Sequence, residues 1–346
     1  MALRLAERWL TAAYRGAAWL EMLRPLAALY RLAVTRRAVA YAQGRRATWQ
    51  PPVPVIVVGN ITLGGTGKSP LVAWLTRFLG ERGWSPGILS RGYGGRSAHY
   101  PLLLDAATPV AACGDEPRML ADQTGVPVVV DPDRVRGARR LLAAGCDILI
   151  SDDGLQHLAL GRDLELVVVD GRRGFGNGHC LPAGPLREPL ARLDTVDAVV
   201  VNGEPAFAAP SAAFTMTLEP AAWRRLDDGR QLPPASAPFA GPVHAVAGIG
   251  HPARFFATLQ ALGVEPIPHA FADHHRFTAA DLRFADARPL VMTAKDAVKC
   301  RSLAPADSWV LEVEARPDAA FIDWLQTRLT SLSTQAAQSA ADGHSS

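Results

Sequence analysis

Lysine is the residue that this chain most nearly lacks. Three lysines, at positions 68, 295 and 299, stand against 33 arginines in 346 residues. Wherever a generic cation is enough, the chain uses arginine. Lysine is a compact point charge on a flexible stem, and the planar arginine fork does not replace it at every site. Because Lys68 lies inside a glycine-rich turn, we interpret it as a functional cation rather than an incidental one.

Cysteine is also scarce, and its spacing excludes two kinds of site. The chain has no C-x-x-C pair and no histidine at zinc-ligand spacing from a cysteine. The four cysteines are Cys113, Cys146, Cys180 and Cys300. This pattern is typical of a reducing compartment and excludes both a disulfide framework and a structural zinc site.

A long uninterrupted apolar run is missing from the N-terminal segment. Its most apolar window, residues 16–35, is broken by Glu21, Arg24, Pro25 and Arg31. An arginine at the centre of a membrane span costs about 2.5–3.5 kcal/mol, which argues against a transmembrane helix. No apolar stretch leads to a small-residue cleavage site, which argues against a cleaved signal peptide.

Negative charge is sparse in the same segment. Residues 1–50 carry nine arginines and two glutamates, about +7, whereas the whole chain carries only +3. Arginines mixed with Trp and Leu are typical of an amphipathic helix that lies among lipid headgroups. The alternative is a helix packed on its own domain, and both can hold at once. We expect an anionic membrane surface as partner, with no nucleic acid and no obligate protein partner.

Residues 53–69 form the most informative stretch of the chain. A continuous apolar run, residues 55–58, predicts a strand buried on both faces of a parallel sheet. The glycine-rich turn that follows directs backbone N–H groups at an anion, Lys68 would reach the β- and γ-phosphates, and the Ser69 hydroxyl would bind Mg²⁺. Thr62 stands where the strict motif has glycine. The expected nucleotide-binding residues are Gly64, Gly65, Thr66, Gly67, Lys68 and Ser69.

The rest of the chain alternates apolar strands with helical segments, which predicts a doubly wound parallel sheet. One predicted strand, residues 147–150, leads into Asp152 and Asp153, and either carboxylate would hold Mg²⁺ opposite the phosphate loop. Residues 171–189 are too rich in Gly and Pro for a regular element, which is typical of a long loop that shapes a site. Arg187 and Glu188 end that loop.

The composition also predicts how the chain divides into domains. A proline- and alanine-rich stretch separates two α/β segments, and a serine-, alanine- and glutamine-rich tail is expected to be disordered. The predicted segments are a basic helical leader (1–48), a phosphate-loop domain (49–227), a linker (228–240), a second α/β domain (241–330) and a disordered tail (331–346).

Taken together, the ordered motifs resemble the tetraacyldisaccharide 4'-kinase family of Gram-negative bacteria over about residues 10–330. Besides the phosphate loop, the motifs are Ser90–Tyr93, Gly114–Glu116, Asp152–His157, Pro182–Pro189, Ala247–Gly250, Phe271–His274 and Thr293–Asp296. The resemblance implies a P-loop doubly wound sheet, a second, smaller Rossmann-like α/β domain and an N-terminal membrane-associated helix. Ala294 and His251 depart from the residues expected at their positions.

The resemblance also implies an activity. Members of this family use ATP and Mg²⁺ to phosphorylate the 4'-hydroxyl of a membrane-held, acylated glucosamine disaccharide 1-phosphate in lipid A biosynthesis. They do so at the cytoplasmic face of the bacterial inner membrane, to which this chain would bind as a peripheral or monotopic protein. Asp115 of the Gly-Asp-Glu motif would accept the sugar proton, and His274 would orient it or share its proton. His275, next in the chain, remains an alternative to His274.

The remaining expected roles complete a site around these two residues. The expected catalytic residues are Asp115, His274 and Lys68, and the expected metal ligands are Ser69, Asp152, Asp153 and Glu188. The expected contacts to the disaccharide or its 1-phosphate are Arg91, Tyr93, Arg134, Gln156, His157 and Arg187.

A membrane-associated regulatory P-loop ATPase or GTPase is the main alternative from another class. A guanine-specific N-K-x-D motif is absent, because residues 293–296 carry their lysine one position too late. A scaffold with a vestigial nucleotide site conflicts with the intact Lys68, Ser69 and Asp152.

Overall fold

The computed structural model describes residues 2–210 and 212–342. Within those ranges, thirteen strands form one sheet. In chain order they are β1 (Val55–Gly59), β2 (Pro86–Ser90), β3 (Leu102–Leu103), β4 (Val128–Val130), β5 (Ile148–Asp152), β6 (Leu164–Asp170), β7 (Ala198–Asn202), β8 (Phe214–Arg225), β9 (Gln231–Leu232), β10 (Val243–Ala247), β11 (Pro266–Ala270), β12 (Leu290–Thr293) and β13 (Ser308–Pro317).

Helices cover both faces of this sheet. They are α1 (Ala2–Arg15), α2 (Arg24–Ala42), α3 (Lys68–Gly80), α4 (Val110–Cys113), α5 (Asp115–Thr124), α6 (Arg134–Leu142), α7 (Pro252–Ala261), α8 (Ala294–Cys300) and α9 (Ala319–Asp342), with 3₁₀ turns at Ala18–Leu23 and Leu190–Thr195. The predicted doubly wound parallel sheet with a second, smaller α/β unit is confirmed.

The sheet has two lobes joined by a long antiparallel ribbon. The first lobe contains β1–β7, with β1 between β5 and β6, and the second contains β10–β12. Strand β8 pairs in parallel with β7, and β13 pairs in parallel with β12, whereas β8 and β13 are antiparallel to each other. The strands of the two lobes therefore run in opposite directions.

This reversal makes the carboxyl ends of the two sets of strands face each other. The end of β7 pairs near the start of β8, whereas β12 pairs with the part of β13 that lies beside the end of β8. Loops at the carboxyl ends of parallel strands form the ligand sites of α/β sheets. Here the loops of both lobes open into one cleft.

Each lobe has an apolar layer on both faces of its sheet. In the first lobe one layer is centred on Ile56 and Leu75 and the other on Val57 and Leu149. The smaller lobe repeats this arrangement, and Trp223 and Leu311 of the ribbon are buried in one of its layers.

The C-terminal helix α9 returns to the first lobe. Phe321, Leu325 and Leu329 are buried in the layer that also contains α3. This differs from the sequence prediction, which assigned the chain up to residue 330 to the second domain. Residues 331–342 of the expected disordered tail continue α9, and residues 343–346 lie outside the described residues.

The leader forms α1, a 3₁₀ turn and α2, with one face on the protein and the other exposed. Ala13, Leu20 and Ala27 are buried, whereas Met22 is 77% and Leu29 is 63% exposed. In the described part of the chain, no helix has the length and apolar character that a membrane crossing requires.

Candidate functional site

The phosphate loop lies between β1 and α3, as predicted. Gly67 precedes α3 with φ of 96°, a conformation that favours glycine. A Cβ at Gly67 would lie 2.5 Å from Nδ2 of Asn202, which donates a 3.0 Å hydrogen bond to the Thr66 carbonyl. The end of β7 therefore fixes the turn just before Lys68. Thr62, which replaces the glycine of the strict motif, forms an isolated antiparallel β-bridge with Leu186.

The predicted site-shaping loop 171–189 packs on the phosphate loop. The Leu63 amide donates to the Pro185 carbonyl at 2.9 Å, and the Arg187 amide donates to the Ile61 carbonyl at 2.7 Å. The Arg173 guanidinium donates to the Gly65 carbonyl. These backbone contacts give the glycine-rich turn a rigid outer wall.

The leader also supports the phosphate loop, which the sequence did not indicate. Tyr14 of α1 donates to the Leu63 carbonyl at 2.6 Å, and Trp9 donates to the Pro182 carbonyl at 3.2 Å. Tyr30 of α2 donates to the Arg187 carbonyl at 3.0 Å. The leader is therefore a packed part of the first lobe, and its exposed face is a separate feature.

The two acidic residues at the end of β5 have opposite electrostatic environments. Burial, followed by the charges of Glu116 and Asp153, raises the pKa of Asp152 to about 7. Burial also acts to raise the pKa of Asp153, but the cations of Lys68 and Arg187 outweigh it and lower the pKa to about 2. Lys68 Nζ lies 3.5 Å, and Arg187 Nη1 2.9 Å, from the Asp153 carboxylate.

The residues around Asp152 fit a magnesium ion that is also held by phosphates. Asp152 is 1% exposed, and its Oδ1 has no hydrogen-bond partner among the described residues. Such a buried carboxylate oxygen needs a cation or proton. No group of three or more metal-ligating side chains occurs within the described ranges. Mg²⁺ commonly binds one or two carboxylates together with substrate phosphates, so Asp152 and Ser69 at the start of α3 are a suitable donor set.

The other two expected metal ligands have protein partners in this structure. Asp153 is paired with Lys68 and Arg187, as described above. Glu188 is buried, accepts a 2.6 Å hydrogen bond from Gln156 and lies 3.3 Å from Arg192 Nε. Gln156 also donates to the Asn60 carbonyl at 3.2 Å, so this pair connects the β5 loop to the start of the phosphate loop.

Asp115 and His274 meet across the cleft although 159 residues separate them. Gly114, with φ of 89°, starts α5 and places Asp115 in its first turn. His274 Nδ1 lies 2.9 Å from Oδ2 and 3.2 Å from Oδ1 of Asp115. His274 itself has φ of 59°, a left-handed conformation that is uncommon outside glycine and typical of functional sites.

The hydrogen bond between Asp115 and His274 shifts the pKa values of both residues. The hydrogen bond to Asp115 raises the pKa of His274, against the effects of burial and Lys295. Burial would raise the pKa of Asp115, but the hydrogen bond from His274 and the charge of Lys295 outweigh it and lower the pKa. His275, the alternative partner, instead lies 3.4 Å from Asp281.

The expected substrate contacts divide into exposed and buried residues. Arg91 is exposed, and Tyr93 is 69% exposed with its ring centroid 5.2 Å from that of His274. Burial, followed by the charges of Arg134 and Arg91, lowers the pKa of His157 to about 4. His157 is therefore a neutral imidazole at physiological pH.

Arg134 differs from its expected role. It is 3% exposed and donates to the carbonyls of Asp131, at 2.9 Å, and Asp152, at 3.1 Å. The guanidinium thus connects the ends of β4 and β5 inside the protein. The local sequence did not specify this burial, because it depends on the packing of α6, and a direct contact between Arg134 and the substrate stays a prediction.

All three lysines of the chain lie in this cleft. Lys295 and Lys299, on α8 of the second lobe, lie near the Asp115–His274 pair. The sequence analysis interpreted Lys68 but gave the other two no role, although the same scarcity was a signal for all three. Asn202 was also missed, because a single Asn at a strand end carries no recognisable pattern.

Comparison with known proteins gives consistent matches over nearly the whole chain. A family model described as "Tetraacyldisaccharide-1-P 4'-kinase" matches residues 19–330. The tetraacyldisaccharide 4'-kinase of Azotobacter vinelandii is 51% identical over 329 residues, covering 95% of this chain and 98% of that relative. The corresponding protein of Alkalilimnicola ehrlichii is 55% identical over 317 residues, covering 90% and 92%.

A solved structure agrees with these relatives. The crystal structure of LpxK from Aquifex aeolicus in complex with ATP superposes with a TM-score of 0.78 at 27% identity. The match covers 91% of this chain and 99% of that chain. Sequence and fold therefore lead to the same family.

Proposed function

The chain belongs to the tetraacyldisaccharide-1-P 4'-kinase family and is a kinase, and we propose how its own residues carry the reaction. The substrate is a tetraacylated glucosamine disaccharide 1-phosphate, whose 4'-hydroxyl receives the γ-phosphate of ATP in lipid A biosynthesis. One observation carries the residue assignment: Asp115, paired with His274, lies on the same cleft as the Lys68 phosphate loop, because the charge of the adjacent Glu116 acts on Asp152 and the next residue, Asp153, pairs with Lys68. A regulatory ATPase has no need of a proton acceptor for a sugar hydroxyl.

In the proposed mechanism the phosphate loop binds the triphosphate. Backbone N–H groups of residues 64–69 and the Lys68 ammonium offset the negative charge that the phosphates bring. The oxygen of the 4'-hydroxyl attacks the γ-phosphorus while Asp115 accepts the hydroxyl proton. The bond between the γ-phosphorus and the oxygen that links it to the β-phosphate breaks, and ADP leaves. His274 orients the Asp115 carboxylate. Positioning and charge stabilisation supply most of the rate enhancement in such transfers.

Mg²⁺ belongs to this proposal as a nucleotide-bound ion. Asp152 and Ser69 would hold it, and it would neutralise charge on the β- and γ-phosphates. Support comes from the buried Asp152 Oδ1, which has no hydrogen-bond partner in the part of the chain that the structure describes. Asp153 and Glu188 have a supporting part, because the first pairs with Lys68 and Arg187 and the second with Gln156.

Substrate recognition is proposed for the exposed rim of the cleft. Arg91, Tyr93 and His157 would contact the disaccharide or its 1-phosphate, and Tyr93 would pack a sugar face beside His274. Arg187 and Gln156 would act indirectly: Arg187 would hold Asp153 in place, and Gln156 would hold Glu188. Arg134 would support the strand ends.

We also propose that the exposed face of the leader binds the cytoplasmic face of the inner membrane. Trp19, Met22, Leu26 and Leu29 expose apolar area on this face, among arginines. Arg and Lys side chains near an anionic surface each contribute about 1 kcal/mol, and inserted apolar side chains add to this. The same segment packs on the phosphate loop, so the active site would be held next to the membrane in which its substrate lies.

The test of the activity follows radiolabelled γ-phosphate from ATP. With tetraacylated disaccharide 1-phosphate in mixed micelles, label is expected in the lipid rather than in free phosphate. Lys68→Ala should lower kcat by about 10²-fold or more while the unfolding temperature stays near that of the wild type, and Lys68→Arg should not restore activity. Near-normal transfer by folded Lys68→Ala would contradict the nucleotide-site assignment, and label released only as free phosphate would favour the regulatory ATPase.

A further inference from the structure

Lys295 occupies a position that the proposed mechanism leaves without a role. It is the second residue of α8, two positions after Thr293, whose side chain caps the helix. A cation in the first turn of a helix is opposed by the helix dipole, so Lys295 does not stabilise α8 through its charge. Its side chain is only 15% exposed, and it extends across the cleft toward α5.

Three acceptors surround the Lys295 ammonium. Its Nζ lies 3.2 Å from Oε1 of Glu116, 3.1 Å from Oδ1 of Asp273 and 3.4 Å from Nε2 of His274. Burial acts to lower the pKa of Lys295, but the charges of Glu116 and Asp273 outweigh it and raise the pKa. Lys295 is therefore an ammonium whose three N–H groups face one acceptor each.

We propose that Lys295 is a positioning residue, which holds His274 as the neutral Nδ1–H tautomer so that the Asp115 carboxylate is paired with a neutral imidazole and not with an imidazolium. This inference rests on the proposed role of Asp115. It goes beyond that role because it names the residue that keeps His274 neutral. A proton on His274 Nε2 would face the N–H of an ammonium. The lone pair must therefore lie on Nε2 and the proton on Nδ1, toward Asp115.

The neighbouring charges explain why a cation is needed at this point. Asp115 lies on one side of the imidazole, and Oδ1 of Asp273 lies 3.9 Å from Nε2 on the other. Two carboxylates facing one imidazole favour the imidazolium. The Lys295 ammonium forms an ion pair with the Asp273 carboxylate, and its charge disfavours protonation of the His274 ring. An imidazolium would withdraw negative charge from Asp115 and weaken it as a base.

The other groups that face the pair do not replace Lys295. Lys299 lies 2.9 Å from Asp296 and 3.8 Å from Oδ2 of Asp115, on the Asp115 side of the pair. The Tyr93 ring is tilted by 57° against that of His274, with the centroids 5.2 Å apart, and Glu116 pairs with Lys295.

The experiment measures the titration of His274 directly. NMR of histidine-labelled full-length protein, with His274 assigned by its absence in His274→Gln, gives its pKa in the wild type, Lys295→Met and Lys295→Arg. Lys295→Met should raise this pKa by about one unit, because a cation near an imidazole is removed, whereas Lys295→Arg should leave it near the wild-type value. Arg224→Met, which removes a half-buried ion pair with Glu312 in the β8–β13 ribbon, is the control and should also leave the His274 pKa unchanged.

The kinetic counterpart is the pH profile of kcat. In Lys295→Met the acidic limb should move to higher pH by about one unit. Activity on that limb should then be about tenfold lower than in the wild type, and it should recover at higher pH. A uniform loss at every pH would show a merely structural role and would overturn the proposal, as would an unchanged His274 pKa. If the pKa rises and the limb does not move, Lys295 is no positioning residue for catalysis. Failure of the Asp115 assignment would appear separately, as near-normal transfer by an Asp115 variant.

Discussion

At the scale of single residues, scarcity indicates function in this chain. With 33 arginines available, the three lysines all lie in one cleft, where each forms an ion pair with at least one carboxylate. Two adjacent acids also differ sharply in pKa. Burial gives Asp152 a pKa of about 7, whereas neighbouring cations give Asp153 a pKa of about 2. Two neighbouring carboxylates with such different environments can hold two different roles.

Replacing Asp115 by Asn tests the proposed base. Proton acceptance contributes about 10²–10⁴-fold to rate in such sites, so Asp115→Asn should lower kcat by that factor with little change in the apparent affinity for ATP. In the wild type, activity should fall as pH drops through the raised pKa of the Asp115–His274 pair, because the imidazolium then forms. Asp115→Asn should lose this acidic limb, because the residual transfer no longer uses a base that the imidazolium weakens.

Steady-state rates between pH 5 and 9 measure both effects. His274→Gln is the companion variant and should lower kcat less, because it removes only the residue that orients the base. A full acidic limb in Asp115→Asn would assign the base to another residue, with His274 as the first alternative.

At the scale of elements, the leader combines two tasks. The leader supports the phosphate loop with one face and exposes apolar side chains on the other. The deletion of residues 1–40 would therefore remove a wall of the nucleotide site as well as the membrane-binding face. Substitutions on the exposed face separate the two tasks.

A double substitution, Met22→Gln with Leu29→Gln, tests the membrane-binding face. Burying such a side chain contributes about 1.5–3 kcal/mol, so binding to anionic vesicles should weaken at least tenfold while the KM for ATP stays unchanged. Co-sedimentation at low and high salt measures the binding and its electrostatic part. Leu190→Gln, which changes an exposed leucine outside the leader, is the control. Equal binding by the double variant and the wild type would assign the leader to packing alone.

The helix α9 is expected to stabilise the first lobe. Phe321 is fully buried there, and its ring centroid lies 5.4 Å from that of Phe214. Phe321→Ala should lower the free energy of unfolding by about 3–5 kcal/mol, the usual cost of removing a buried aromatic side chain. Urea unfolding measures it, with the exposed Gln326→Ala of the same helix as control. A loss below about 1 kcal/mol would mean that α9 does not dock on the first lobe in solution.

At the scale of the whole molecule, the ribbon of β8 and β13 makes one structure of two lobes. Its first-lobe end contributes Met216 and Ala315 to the core beside α3, and its other end contributes Trp223 and Leu311 to the second lobe. The antiparallel pairing also reverses the strands, so that both sets of carboxyl ends face the cleft. The base and the phosphate loop depend on this arrangement.

Because the ribbon belongs to both cores, the lobes should unfold together. Calorimetry is expected to give one transition with equal calorimetric and van't Hoff enthalpies. Leu259→Ala, which removes a fully buried side chain of the second lobe, should cost about 2–5 kcal/mol and move that whole transition to lower temperature. A separate low-temperature transition in this variant would show that the second lobe unfolds independently.

The sequence by itself determined the parts of the site that lie within a short stretch of chain. The phosphate loop needs a buried strand, glycines that permit unusual backbone angles, and a Lys-Ser pair at a helix start, all within residues 55–69. The strand end that carries Asp152 follows from an apolar run in the same way. Local sterics and apolar patterning specify such features without reference to distant residues.

Only the tertiary structure decided which distant groups meet. It selected His274 over His275 as the partner of Asp115, turned Arg134 inward and brought Lys295 between two acids from different lobes. It also returned α9 to the first lobe. These outcomes depend on the direction of the β8–β13 pairing and on the burial of whole helices. Such long-range terms are set by the packing of many residues at once, and no local pattern carries them.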